Sequence, residues 1–428
     1  MAIATPSSFT AAGSAPQNVV SGILACRVPI GQTGHNHCRR SGAQMSIAFT
    51  HNARPTIGVE LELHLVDADT GDLVSASNEL LAEMSQGFPG NDHPKAKHEL
   101  FQSTVEIITG VCDTPTQARA DLAETFQELH ATATRRGLKI ISAGTHPFGV
   151  ARNQDVSPNP RYHELVEAMQ WPARRLLICG QHIHVGVRDG ERAISIINEM
   201  MRHLPLFLAL SSSSPYFEGE DSGLASAPSK VFESLPTAGL PPQITGWGDF
   251  ESFMSTLIDS ECISSIREVW WDIRPHPDFG TIEFRMCDSP HTLTEATALA
   301  GLAQTLVAWA DALIDRDALP PPPREWTVRE NRWLAARYGI DARLIVEANG
   351  DGKPQRRPVR ELVGELLAEL SLTADLLGTQ PELAAIERIL DHGSGSMRQR
   401  RLVDAGATLA DVVHHLADEL YDDCFDQA

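Results

Sequence analysis

Residues 56 to 66, T-I-G-V-E-L-E-L-H-L-V, alternate apolar and polar side chains without a break. Successive strand side chains point to opposite faces. Val59, Leu61, Leu63 and Leu65 therefore share one side of a predicted strand, and Glu60, Glu62 and His64 share the other. The same period returns in L-L-I-C-G-Q-H-I-H-V-G-V, where Ile183, Val185 and Val187 oppose His182, His184 and Gly186. It returns again in G-T-I-E-F-R-M-C-D, where Ile282, Phe284 and Met286 oppose Thr281, Glu283, Arg285 and Cys287. Residues 103–112 are rich in β-branched residues around Glu106, and residues 138–144 read as a further strand.

Between these strands the spacing turns helical. Helices are predicted near 77–86 and 161–176, over 190–211, and near 249–258. Another opens at Pro115, behind a Thr114 cap with Gln117 three residues on, and stops at Gly137. Thr292 and Glu295 form the same capping signature for an apolar helix ending near 315. Residues 215–248, rich in Gly, Ser and Pro, are too long for a simple connection and read as a functional loop. Pro320 to Pro323 break the chain. The pattern predicts a poorly ordered extension over 1–50, a catalytic α+β domain over 51–319, and a mainly helical region over 324–428 packed on it, with little strand signal. The fold class is α+β, an antiparallel or mixed sheet covered by helices on one face.

Composition narrows the partners. Of 428 residues, 56 are acidic and 35 basic, giving a formal net charge of −21. Nucleic acid and anionic membranes need a basic surface, so neither is expected as a partner. No run approaches the roughly 20 apolar residues that span a bilayer, which predicts a soluble protein. The seven cysteines form no C-x-x-C pair, which fits a reducing cytoplasm, and Cys112, Cys179 and Cys287 read as buried hydrophobes. V-V-S-G-I-L-A-C, ending at Cys26, is a weak match to a lipoprotein cleavage site. His35, His37 and Cys38 lack a second cluster to complete a metal site, and Met45 is an alternative start.

The polar fronts carry the chemistry. A single alternating strand with one polar face is ordinarily solvated. Here several fronts hold paired Glu and paired His instead of Lys, Thr and Ser. Adjacent carboxylates repel unless water or a cation lies between them. Glu60, Glu62, Glu106 and Glu283 offer the oxygen ligands that Mg²⁺ favours, and Arg285 offers planar donors for phosphate or carboxylate. No phosphate-loop motif, G-x-S-x-G or H-E-x-x-H is present. The serines at 211–214 read as a helix end, and H-I-H at 182–184 is a weak zinc pattern.

G-V-E-L-E-L-H-L-V-D, K-H-E-L-F-Q-S-T-V-E-I-I-T-G-V-C, A-G-T-H-P-F and G-Q-H-I-H-V-G-V resemble the carboxylate–amine ligase family. So do W-D-I-R-P-H-P-D-F-G-T-I-E-F-R-M-C-D and E-N-R-W-L-A-A-R-Y-G. This is the glutamate–cysteine ligase type 2 group, related in fold to glutamine synthetase, and the resemblance runs from about residue 54 to the C-terminus. It implies a glutamine-synthetase-like sheet, ATP and Mg²⁺, and small-molecule carboxylate and amine substrates. ATP would phosphorylate a carboxylate, the γ-carboxylate of glutamate, and an amine would attack the acyl phosphate.

On that resemblance the metal candidates are Glu60, Glu62, Glu106, His184 and Glu283. Arg285 and Glu283 are the catalytic pair, with Arg285 stabilising the transferring phosphoryl group. His182, Arg274, Arg332 and Lys230 are candidates for ATP or substrate, with a surface ion pair as the alternative for the two arginines. Trp271 and Trp333 read as core. The chain departs from the family at Leu61, where many members are acidic, and at Pro228, where members commonly carry Arg; the second departure bears on substrate identity. The other expectations are a metal-dependent amide hydrolase without ATP and a nucleotide-binding protein that has lost catalysis. A homodimer is expected by analogy with related folds.

Overall fold

A computed structural model describes residues 46–347 and 353–425. The readings at Cys26, at His35, His37 and Cys38, at Met45 and across 1–45 lie outside the described residues. In chain order the first half contains β1 (Ile57–Asp67), α1 (Ser77–Met84), β2 (Ala96–His98), β3 (Thr104–Ile108), α2 (Pro115–Thr134), β4 (Leu138–Ile141), α3 (Pro160–Met169), β5 (Gly180–Gly186), α4 (Gly190–Met200) and α5 (Leu204–Ser211). There follow β6 (Tyr216–Phe217), β7 (Glu220–Asp221), α6 (Pro228–Phe232), α7 (Trp247–Asp259), β8 (Ile273–His276), β9 (Thr281–Asp288), α8 (Leu293–Ile314) and α9 (Glu325–Tyr338). β10 (Arg343–Val346), β11 (Gln355–Pro358), α10 (Val359–Leu377), α11 (Gln380–His392), α12 (Gly395–Asp404) and α13 (Leu409–Phe425) complete the chain.

The sheet has seven strands in the order β2-β3-β1-β5-β9-β8, with β4 also on β1. Every pairing is antiparallel. His64 pairs with Thr104 of β3 on one side and Ile141 of β4 on the other, so β4 continues the edge that β5 occupies further back. The alternation of β1 has the predicted effect. Leu61, Leu63 and Leu65 are fully buried and join Val105, Ile183 and Phe284 in the main core. Leu122 and Phe126 of α2 and Leu299 and Leu302 of α8 pack into the same cluster. One helix breaks the one-sided pattern. Val412, Val413 and Leu416 of α13 pack on Val66 and Ile141, at the end of the face that carries the polar residues.

Local chemistry explains the ends of these helices. Thr114 accepts the Gln117 N–H at 3.3 Å while Gln117 reaches back to Asp113 N, and Thr292 accepts the Glu295 N–H at 3.1 Å. The helix predicted across 190–211 is two helices bent by 65°. Pro205 begins the second; inside one continuous helix its missing N–H and its ring would break the ladder. α8, at 22 residues, has the length and hydropathy to cross a membrane, contrary to the expectation that no segment approaches this. However, 67% of its most apolar window is buried in the fold, as in a core helix. The β10–β11 hairpin is a second departure, because the sequence around it reads as helical.

Residues 46–50, grouped by sequence with the extension, lie against the body. The Trp247 indole donates to Ile47 O at 3.0 Å, and Phe49 meets the Trp247 ring edge-on. Nearby, Gly280 turns β8 into β9 at φ +64°. A Cβ there would collide with Thr50 O, so only glycine fits the turn.

Candidate active site

The sheet register brings the polar fronts together. Cross-strand partners are Glu62 with Glu106, Glu60 with His182, and His184 with Glu283, which in turn faces Arg274. A one-residue irregularity in the β5–β9 pairing shapes the far end. Glu283 stays on the polar face, but Cys287 pairs with Gln181, whose side chain donates to Ala296 O of α8. Cys287 therefore lies on the helix-covered side, not beside Glu283 as simple alternation predicts.

His182 Nδ1 donates to Glu60 Oε2 at 2.8 Å, and His184 Nε2 stands 3.4 Å from Glu60 Oε1 and 4.0 Å from Glu283 Oε1. His184 Nδ1 is 3.0 Å from Thr281 Oγ1. Arg274 Nε donates to Glu283 Oε2 at 2.6 Å, and Arg285 pairs with the other oxygen of Glu283. Glu62 Oε2 accepts the Gly180 N–H at 2.7 Å. Glu106 is 1% exposed, and its Oε2 has no partner among the described residues.

These contacts divide the carboxylates into two kinds. Burial acts to raise Glu60 and Glu283, yet neighbouring charge outweighs it. His182 and His184 hold Glu60 below the usual carboxylate range, and Arg274 and Arg285 hold Glu283 well below it. Burial pushes Glu62 up, and pushes Glu106 well above its usual value with added repulsion from Glu60, Glu99 and Glu62. Burial also lowers His64, to about 3, so it is neutral between Cys179 and the edge of the His146 ring.

Two donor groups converge within 4.8 Å: Glu60, His182 and Glu283, and Glu62, Glu106 and His182. Both oxygens of Glu283 are taken by arginines. The second group fits a hard divalent cation better, because it holds the unpartnered Glu106 oxygen and two carboxylates directly opposed across the sheet. His182, predicted as a substrate contact, belongs to both groups, whereas His184, predicted as a ligand, belongs to neither.

Beside this cluster lies a cavity of about 80 Å³, lined by Glu62, His182, Arg285 and Arg332 and by Pro228, Ser229 and Phe232 of the long loop. Glu99 lines it too and was not singled out from the sequence. It sits outside any strand, so no alternation marks it; its only signal was an acidic residue inside K-H-E-L-F-Q.

The arginines are not surface pairs. Arg274 is 4% exposed and also donates to the carbonyls of Arg267 and Val269. Arg332 is 3% exposed and pairs with Asp272 at 2.5 Å. Lys230 lies away from the cavity lining, bonded to Glu233 and 5.3 Å above the Trp333 ring. Trp271 is core as predicted, but Trp333 is 42% exposed. The serine run ties loops: Ser213 N and Ser214 Oγ donate to Asp288, and Ser212 bonds Ser394.

A family model described as glutamate-cysteine ligase family 2 matches residues 56–419. A Thermobifida fusca protein named "Putative glutamate--cysteine ligase 2" is 45% identical over 375 residues, covering 88% of this chain and 93% of that protein. A Frankia casuarinae protein named "Putative glutamate--cysteine ligase 2-1" is 48% identical over 377 residues, covering 88% and 98%. Among solved structures, the Francisella tularensis glutamate–cysteine ligase in complex with AMP aligns with a TM-score of 0.64 at 12% identity, covering 87% of this chain and 90% of that one. A bifunctional glutathione synthetase from Pasteurella multocida aligns at 0.60 and 14% identity, covering 87% and 53%. These two share the fold. By sequence, the chain belongs to the glutamate–cysteine ligase family 2.

Proposed function

We propose that the chain is an ATP-dependent carboxylate–amine ligase that forms an amide through an acyl phosphate, acting on the γ-carboxylate of glutamate, with weak glutamate–cysteine ligase activity. The observation that carries this reading is the buried face where Glu62, Glu106 and His182 converge beside the Arg285–Glu283–Arg274 cluster. Relatives at 45% and 48% identity carry the glutamate–cysteine ligase name, and the similar Francisella tularensis fold was solved with AMP.

In the first step a carboxylate oxygen attacks the γ-phosphorus of ATP. An O–P bond forms, the bond to ADP breaks, and ADP leaves with the electron pair. In the second, the amine lone pair attacks the acyl carbon; a C–N bond forms, phosphate departs with the C–O electron pair, and the proton that the nitrogen gives up ends on that phosphate. Glu62, Glu106 and His182 would hold Mg²⁺, which when bound neutralises phosphate charge.

Arg285 faces the cavity with an Nε that has no partner among the described residues, and directs a fixed positive charge at the transferring phosphoryl group. Glu283 and Arg274 hold that guanidinium in place. Glu60 fixes the ring of His182 through Nδ1 and leaves Nε2 for the ligand. The buried thiols of Cys112, Cys179 and Cys287 fit a cytoplasmic setting.

The test is ADP release with Mg²⁺-ATP and glutamate, adding amines one at a time, cysteine first, against a Glu283→Gln control. Amine-dependent release that disappears in the variant supports the ligase. Release that is identical in the variant refutes the assignment of this site.

A further inference from the structure

We propose that Ser229 of α6 is a substrate-contacting residue of this ligase, whose hydroxyl donates to a carboxylate oxygen of the substrate that is phosphorylated. The inference rests on the ligase reading above and adds to it a binding contact on the long loop.

Unmade hydrogen bonds point to this side chain. Four residues that line the cavity carry a buried polar atom with no hydrogen-bond partner among the described residues: Ser229 Oγ, Asp272 Oδ2, Arg285 Nε and Arg332 Nε. Asp272 and Arg332 satisfy one another as an ion pair, with Arg332 Nε 2.5 Å from Asp272 Oδ2. Arg285 Nε is directed at the transferring phosphoryl group. Ser229 Oγ is left, on a residue 7% exposed. A buried hydroxyl without a partner forfeits the bonds it made to water in the unfolded chain, so folding alone gains nothing from it.

The fold nevertheless holds this hydroxyl in place from both ends of α6. Before the helix, Ser226 Oγ donates to Asp288 Oδ1 at 2.7 Å, and Ser226 N donates to Ala336 O of α9 at 3.0 Å. After it, Glu233 pairs with Arg332 of α9 and with Lys230. Ser229 and Glu233 are four residues apart, the spacing that puts two side chains on one side of a helical turn. Ser229 therefore lies on the side of α6 that meets Arg332.

Donor chemistry selects the occupant. The Arg285 Nε–H can only donate, so whatever satisfies it brings an acceptor atom. Ser229 can donate as well, and both atoms belong to residues of one cavity. The substrate that is phosphorylated must place a carboxylate oxygen against the phosphorus that Arg285 faces, which brings it into this cavity. Carboxylate oxygens accept from hydroxyl and guanidinium groups alike, and bonds to a charged acceptor are the stronger kind. Ser229 makes its bond without displacing any existing ion pair.

The experiment follows hydroxamate and ADP formation with Mg²⁺-ATP, glutamate and hydroxylamine, which traps acyl phosphates, in the parent and in Ser229→Ala. The variant should raise KM for glutamate at least about tenfold and leave KM for ATP within about twofold. Thermal melts without ligands should place the variant at or above the parent, because the hydroxyl has no partner to lose. An unchanged KM for glutamate, or an equal rise in KM for ATP, overturns the contact and leaves the ligase standing. A variant that melts below the parent without ligands also overturns it, since the hydroxyl then has a structural partner. Neither hydroxamate nor ADP from the parent overturns the ligase reading and the contact with it.

Discussion

Arg274 donates from Nε to Glu283 Oε2 at 2.6 Å, with both side chains almost fully buried. The pair joins β8 to β9 directly across the sheet, at the point where Glu283 also holds Arg285. Removing Arg274 leaves Glu283 with one of its two guanidinium partners, and breaking a buried ion pair costs up to about 3–5 kcal/mol. Arg274→Met should therefore lower unfolding stability by about that amount in a urea titration and reduce kcat by loosening Arg285. A loss below about 1 kcal/mol would show that Glu283 is satisfied without Arg274.

The two faces of β1 and β3 predict opposite behaviour. Leu61 is fully buried in the helix-covered core. Leu61→Ala should cost about 2–5 kcal/mol while leaving KM for ATP unchanged at a temperature where the variant stays folded. Calorimetry on the same samples used for kinetics separates the two effects. A change in KM without loss of stability would place Leu61 in the ligand face.

Glu106 lies on the other face, with one oxygen unpartnered and its carboxyl raised by burial and by its acidic neighbours. Burial and repulsion favour the neutral carboxyl, and Glu106→Gln keeps that neutral shape without the cost of protonating it on folding. The metal-free variant should melt at or above the metal-free parent, and Mg²⁺ should stabilise the variant less than the parent. Thermal melts over a Mg²⁺ series read both. Equal Mg²⁺ stabilisation in variant and parent would remove Glu106 from the ligand set.

Much of this site was legible because period-two alternation, carried by Val59, Leu61 and Leu63 against Glu60 and Glu62, identifies a sheet with one chemically loaded face. Alternation says nothing about register between strands. It could not pair Glu62 with Glu106 or assign His182, not His184, to the donor groups. It also misplaced Cys287, because an extra residue in β9 shifts every side chain after it. Glu99 and Asp272 lie outside regular strands and came into view only with the cavity. Pro205 was visible in the sequence, but the apolar run on either side of it masked the break between α4 and α5. Trp333 was assigned to the core by residue type, whereas the helix face it occupies is exposed beside Lys230.

The C-terminal helix gives the pH prediction. Glu419 of α13 accepts from His291 Nδ1 at 3.1 Å and pairs with Arg398 Nε at 3.1 Å, while Arg398 also bonds Glu295. Burial acts to raise Glu419, but His291 and Arg398 outweigh it and lower the carboxyl from 4.5 to about 2. A carboxyl lowered by folding contributes stability that is present above its unfolded value and lost as pH falls through the folded one. The window therefore runs from about pH 5 down to 2, and the span corresponds to about 3 kcal/mol. Glu419→Gln should lower stability at pH 7 and flatten the acid limb between pH 5 and 2, which urea unfolding across that range measures. Because α13 packs on Val66 and Ile141 through Val412 and Leu416, the loss should appear first as release of this helix. Hydrogen exchange at pH 4 that opens α13 before β1 is the expected order, and simultaneous opening would show that the Glu419 contacts do not hold the helix separately.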